Sequence, residues 1–459
     1  MTYNAFLDAF STLKMQLADY LLKASLPKLS AQISTQPPTL PTPSMFIKPT
    51  FKIAFLATAL TGLTAVPQTG FAGETVKKKD GKTIPAEEKP RFTIYGWVEG
   101  GVTGNFNSPA DNQNFGRLFD DRSNEPLLNQ VVLTAERTLD PKASGFDWGF
   151  KAQVMFGTDA RFIHSMGLLD KAMKTSIYQP DVVEAYINLH FPVLTSGGVD
   201  LKVGKFVTLE GAETIDPRSN VFYSHSYIFN YGIPFNHTGA LFTVHATKVV
   251  DLYAGITRGV NTSIEDNNGT AAFHGGFGLN FNEGKFTVLA TTHIGPETAN
   301  NSRSTRYLSD LTAIWKITDK FTSITDVNYI YDEAARARGY GVAQYFTYAF
   351  NDKVSASVRG EVWRDEKGFY VTEFADSHDP IRGLRGQAFT DARTVGGGST
   401  TYGALTAGLT FKPTVPKPFS GLMIRPEIRV DHSLNDTKPF NNSSNRTMIT
   451  AAIDFVLQF

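Results

Sequence analysis

The chain has 459 residues, with 44 Lys+Arg against 44 Asp+Glu, and this balance gives no electrostatic case for a nucleic-acid partner or an acidic substrate. The absence of cysteine excludes thiolate metal sites, cysteine nucleophiles and disulfide frameworks. Thirty-nine Gly and 35 Phe depart from a globular average, and a mean hydropathy of -0.18 suits either a soluble protein or strands that hide only alternate residues.

Residues 1–44 contain Pro37-Pro38, Pro41 and Pro43 and do not read as the start of a folded domain; the simplest account is that translation begins at Met45, with a cytoplasmic extension as the alternative. From Met45, Lys48 and Lys52 precede an uncharged apolar run at 53–66, and Gly70-Phe71-Ala72 places small residues where a signal peptidase reads. Residues 45–72 are therefore expected to be a signal peptide cleaved after Ala72, since about 14 apolar residues fall short of the roughly 20 a spanning helix needs. Residues 1–72 hold five Lys and two Asp, so the mature chain would carry about −3. Residues 73–90 read as a charged, flexible periplasmic linker.

From 91 to 459 the recurring pattern is period-2 alternation. Phe146, Trp148, Phe150, Ala152, Val154 and Phe156 face one way, and Asp147, Lys151 and Gln153 the other. Lipid on one side and water on the other demands this pattern. Sixteen strands are expected, beginning near 92, 127, 146, 182, 199, 238, 249, 271, 285, 306, 321, 340, 354, 401, 421 and 446. Short links at 141–145, 192–198, 247–248, 282–284, 318–320, 351–353 and 412–420 alternate with longer loops near 106–125, 157–181, 207–236, 259–270, 295–305, 332–339, 366–400 and 433–445. Asn, Asp and Gly in the short links are hairpin residues. An even strand number with both termini on the turn side is the pattern of a transmembrane, antiparallel, up-and-down all-β barrel. A secreted lectin or propeller would also give short strands and frequent turns.

Two segments carry a family resemblance. The chain ends in Phe459 behind an alternating strand, which resembles the C-terminal signal read by the barrel-assembly machinery. Val203-Gly204-Lys205-Phe206, Gly211-Ala212-Glu213-Thr214-Ile215-Asp216-Pro217, Asn220, Phe222 through Tyr227 and Ile233 through Gly239, with Tyr95-Gly96-Trp97-Val98-Glu99, resemble the putative β-barrel porin-2 family, also called OmpL-like. The resemblance spans nearly all of 91–459 and implies a porin-like barrel in the outer membrane, in contact with its lipid and lipopolysaccharide. It names no permeant and no oligomeric state.

With polar faces inward, the expected pore wall includes Lys151, Glu184, Lys202, Arg359, Glu361, Arg425, Glu427, Arg429 and Asp431. About sixteen strands leave room for an aqueous pore passing small hydrophilic solutes. The alternation of Arg425, Glu427, Arg429 and Asp431 reads either as a selectivity strip or as internal ion pairing. The loop at 207–236 carries Phe222, Tyr223, Tyr227, Phe229, Tyr231 and Phe235, too many aromatics for a loop in water, so it is expected to fold into the lumen or to cover the mouth or a subunit contact. Glu210, Glu213, Asp216, Arg218, Tyr223, His225, Tyr227 and His237 are its candidate constriction residues.

The loop at 366–400, with Gly383, Gly386 and Gly396-Gly397-Gly398, reads as mobile and external. Asp120, Asp121 and Glu125 read as a solvated acidic loop or a divalent-ion site. His245 and His293 stand alone on their strands, and no pair of His shows metal-site spacing with a third ligand, so no metal and no cofactor are expected. Ser224, His225 and Ser226 do not make a triad by adjacency, and no Gly-x-Ser-x-Gly elbow is present, so no enzyme is expected. A receptor or adhesin acting through external loops is the alternative to a porin.

Overall fold

The computed structural model describes residues 91–140, 143–387 and 398–459, and the backbone of a two-residue ladder pairing Lys78 with Thr83 and Lys79 with Lys82. The upstream extension, the signal peptide with its cleavage site, and most of the linker lie outside the described residues.

Sixteen strands follow in chain order: β1 Phe92–Asn105, β2 Pro126–Arg137, β3 Asp147–Gly157, β4 Gln179–Phe191, β5 Val199–Val207, β6 Asn236–His245, β7 Val250–Thr257 and β8 Ala272–Phe281. The second half comprises β9 Phe286–Thr298, β10 Asn301–Lys316, β11 Phe321–Asp332, β12 Ala337–Asn351, β13 Val354–Asp365, β14 Thr400–Phe411, β15 Gly421–Ser433 and β16 Thr447–Gln458. Each pairs antiparallel with its sequence neighbours, and β16 pairs with β1 from Thr450↔Asn105 to Gln458↔Trp97 to close the barrel. Among the described residues no helix is long and apolar enough to cross a membrane; the chain crosses with strands.

The alternation sets the faces. On β3, Trp148, Val154 and Phe156 are exposed on the outer wall while Asp147, Lys151 and Gln153 are buried inside. An apolar outer wall is the signature of strands solvated by lipid. The closing seam extends to the last residue. Phe459 and Gly96 exchange two backbone hydrogen bonds of 3.0 Å, and a Cβ at Gly96 would lie 2.6 Å from the Phe459 ring and 2.2 Å from the Val132 carbonyl oxygen. Glycine there lets the terminal ring lie flat on β1.

Two of the expected loops shrink to hairpins. In place of 295–305, β9 and β10 continue to Thr298↔Asn301, leaving only Ala299 and Asn300, with Asn300 at φ +58°. In place of 332–339, Asp332 pairs with Ala337 around a turn in which Arg336 has φ +51°. Ladder pairing satisfies backbone groups regardless of side-chain polarity, so these polar stretches extend the strands although they show no apolar period.

The lumen is filled from the loop end. Phe115, Leu118 and Phe119 from the β1–β2 connection, Phe222, Tyr227, Phe229 and Phe235 from the β5–β6 connection, and Val371 and Phe374 from the β13–β14 connection form one buried cluster with Trp97, Trp363 and Tyr402 of the wall.

Candidate functional site: the loop across the lumen

The connection at 208–235 begins and ends together, with the Thr208 N–H donating to the Phe235 carbonyl at 3.1 Å. It then bonds to walls on opposite sides. Gly211 N–H donates to Asp310 on β10 at 2.9 Å and Ala212 N–H to Asp326 on β11 at 3.0 Å, whereas the Ile215 carbonyl accepts from Gln130 on β2 at 2.9 Å. In a ring of sixteen, β2 and β10 are eight strands apart, so this connection crosses the barrel.

The inward charges hold it there. Arg359 donates to Glu213 at 2.6 Å and to the Ser224 carbonyl at 2.8 Å. Arg425 donates to the Pro217 and Asn220 carbonyls, each at 2.8 Å, and pairs with Asp454 and, at 3.2 Å, with Glu99. Glu427 accepts from the Tyr223 N–H at 2.8 Å and the Ser224 N–H at 3.3 Å. Arg429 donates to the His225 carbonyl at 2.5 Å and pairs with Asp431 at 2.8 Å and Glu361 at 3.2 Å. Glu361 accepts from Tyr227 N–H at 2.7 Å, and Asp431 from Tyr227 Oη at 3.1 Å. The Arg425-to-Asp431 ladder thus places ion pairing and loop anchoring on one strand. Hydrogen bonds to charged groups contribute more than neutral ones, about 1.5–3 kcal/mol each, and offset the entropy of ordering the loop.

Asp216 caps a 3₁₀ turn at Pro217–Ser219, accepting from the Arg218 N–H at 3.0 Å and from its guanidinium at 2.6 Å, while Arg218 lies over the Trp97 ring at 4.1 Å. This pair keeps some accessibility, at 14% and 11% of its side-chain surface. Glu210, Glu213, Tyr223, His225, Tyr227 and His237 are buried. On the neighbouring strands β3 to β5, Lys151 and Glu184 pair at 2.5 Å, and Lys202 lies over Tyr186 at 4.7 Å.

Burial sets the protonation of the loop. Burial would raise Glu213, but Arg359, His225 and the Ser226 N–H together hold it below the usual carboxylate range. Glu210 has neither carboxylate oxygen hydrogen-bonded, and burial followed by the charge of Asp310 pushes it well above that range. Burial lowers His225 to about 4, with Arg359 adding in the same direction against Glu213. Its ring stacks on Phe229 at 4.1 Å, and Nε2 meets the Asn220 amide at 3.1 Å.

Four further expectations are corrected. Asp120 and Asp121 are buried rather than solvated: Arg117 bridges Asp120 and Asp431 at 2.5 Å each, and Arg161 pairs with Asp121, so these acids are consumed by arginines that alternation along strands does not reveal. Glu125 stays exposed. The described part of the β13–β14 connection packs over the lumen: Asp365 accepts from the Tyr370 and Val371 N–H groups, and Arg385 pairs with Asp170 and Glu265 at 2.5 Å each. Gly396 and Gly397 lie outside the described residues. His245 is not isolated, sitting between Asp251 at 2.8 Å and Asp200 at 3.4 Å. His293 is not isolated either, because His237, His274 and His293 converge with ligand atoms all within 4.8 Å of one another.

A closed sixteen-strand barrel with an apolar outer wall and a charged interior is an outer-membrane porin barrel. Family comparison agrees: the model described as "Putative beta-barrel porin-2, OmpL-like" matches residues 91–459, and the chain belongs to that family. No curated sequence matches it. Among solved structures it is similar to OmpF of Salmonella typhi, in complex with daunomycin (10% identity, 80% of this chain and 97% of that one, TM-score 0.50). It is also similar to the anion-selective porin of Comamonas acidovorans (8% identity, 80% and 99%, TM-score 0.49) and to OprB of Pseudomonas putida (12%, 80% and 94%, TM-score 0.48). At these identities the likeness is one of fold.

Proposed function

We propose that the chain is a diffusion porin for small hydrophilic solutes or ions whose path is narrowed by residues 208–235. The observation that carries this reading is the bridge from Asp310 on β10 to Gln130 on β2, which puts a charged, hydrogen-bonded loop across a barrel of a porin family. Of the loop's charged groups, Asp216 and Arg218 retain access to water, so a solute squeezing past the loop meets this pair. Export by a signal peptide ending at Ala72, with assembly signalled by Phe459, delivers the barrel to the outer membrane with the short turns facing the periplasm. Deleting the residues between Ile215 and Ile233 should raise single-channel conductance in planar bilayers while the barrel still inserts, because strand pairing does not run through the loop. Neutralising Glu213 and Asp216 should move ion preference toward anions. Unchanged conductance in a folded deletion variant would remove the constriction role, and a barrel silent with or without the loop would favour a receptor acting through its loops.

A further inference from the structure

Three histidines meet on the inner wall near the root of the crossing loop, and strand register brings them there. His274 on β8 and His293 on β9 are direct partners in the ladder. Their neighbours Phe273 and Ile294 are exposed on the outer wall, so both imidazoles point inward. His237 opens β6, two strands from β8. β7 lies between them, its Gly255 pairing with His274 on one side and with Leu241 on the other, and the rings of His237 and His274 approach to 4.3 Å. The His237 and His293 rings stack at 4.8 Å. All three side chains are fully buried.

The hydrogen bonding around them leaves three ring nitrogens, both of His274 and Nδ1 of His293, without partners. His293 Nε2 meets Glu297 at 2.8 Å, and its Nδ1 has no partner. Neither nitrogen of His274 makes a hydrogen bond of ordinary geometry; the Thr292 carbonyl lies beside the ring without completing one. His237 Nδ1 faces the Gly259 carbonyl at 3.4 Å and Nε2 the Thr208 hydroxyl at 3.2 Å. Glu297 is itself held by the Val260 N–H at 2.9 Å. Gly259, at φ +115°, allows this approach, since a Cβ there would lie 2.9 Å from the Glu297 carboxylate. Buried imidazole nitrogens without partners are costly, and a cluster of them calls for a ligand.

We propose that His237, His274 and His293 form a binding site for a divalent transition metal, with Zn²⁺ as the natural occupant. Three neutral imidazoles plus an open fourth position for water or the Thr208 hydroxyl match zinc's ligand preference. Glu297 behind His293 is the carboxylate that orients a metal-bound imidazole and raises its basicity. Zinc–nitrogen bonds of about 2.0–2.1 Å in a tetrahedron need nitrogens roughly 3.4 Å apart, so ligand atoms that lie within 4.8 Å of one another must draw together around the ion. Because His237 follows the crossing loop and its Nε2 faces Thr208 at the loop's start, the metal ties the root of that loop to β8 and β9. This inference does not depend on whether the barrel conducts.

The test uses the full chain, untagged, folded in detergent, with Zn²⁺ titrated by calorimetry and Co²⁺ as a spectroscopic probe. One equivalent of Zn²⁺ should bind, and Co²⁺ should give the visible absorption of a tetrahedral nitrogen-rich site. H274Q should lower the affinity at least tenfold and E297Q by about 10–100-fold, whereas H190Q should leave it unchanged. Folding of each variant is checked by heat-modifiable mobility on a gel, which reports the closed barrel. Absence of stoichiometric binding to the folded wild-type chain would overturn the proposal. So would binding that survives unchanged in the folded H274Q/H293Q double variant, which would place the metal elsewhere.

Discussion

Acidification should loosen the crossing loop through His225. The ring is buried between Phe229 and Phe119 and its Nδ1 has no hydrogen-bond partner, so the docked loop holds it neutral down to about pH 4, against 6.5 for a solvated imidazole. The docked state therefore binds fewer protons than the released one between these values, and docking is favoured above pH 6.5 and lost as pH falls toward 4. The gap corresponds to roughly 3 kcal/mol in full, and to about 2 kcal/mol between pH 7 and pH 5, a change of about twentyfold in the docked-to-released ratio. The charged groups around it are Glu213, Arg359, Asp120 and Arg425. Glu213, held low, acts in the same direction but only below its solvated value of about 4.3. Glu210, held high, acts oppositely, its contribution being greatest in acid and lost as pH rises. Glu210 is shared by the H225Q variant and Glu213 acts only at lower pH, so the difference between wild type and variant from pH 7 to pH 5 isolates the histidine. Hydrogen exchange of the Tyr223 and Tyr227 amides, which donate to Glu427 and Glu361, reads the docked population once corrected for intrinsic rates. The protection ratio of wild type to H225Q should fall by about twentyfold from pH 7 to pH 5. A ratio that stays constant over that range would refute the argument.

Two further outcomes follow from the barrel itself. Replacing Gly96 by Ala puts a Cβ against the Val132 carbonyl and the Phe459 ring, and should destabilise closure by roughly 1–3 kcal/mol or more, seen as a lower urea midpoint for the heat-modifiable folded band; an unchanged midpoint would show that the seam relaxes freely. On intact cells an epitope inserted near Gly397 should bind antibody while one at Glu283 should not, in a protein whose mass corresponds to a start near Gly73. The opposite labelling pattern would invert the orientation of the barrel.

Much of the fold was legible because alternation is a local property. Every expected strand start falls within five residues of the observed one, the largest difference being Asn301 against an expected start near 306, where polar residues extend a ladder beyond the apolar stretch. The inward face of Arg359, Glu361 and the Arg425-to-Asp431 strip could be assigned from parity, and the aromatic density of the crossing loop marked it as buried. The pairing of His274 with His293 was also legible in principle, since each lies seven residues from the Phe281↔Phe286 pair at the ends of one hairpin. What alternation does not supply is the identity of a neighbour across the ring. His237 joins the other two from β6, two strands from β8, its ring stacked on His293 at 4.8 Å. Arg117 reaches Asp431 only because the β1–β2 connection turns inward beside the β16–β1 seam. Sixteen strands and their faces could be read from the chain alone, because side-chain period and hairpin chemistry act over a few residues. Which charges meet and where the crossing loop lands emerge only in the folded barrel, because those contacts join residues far apart in sequence and exist only once the barrel is closed.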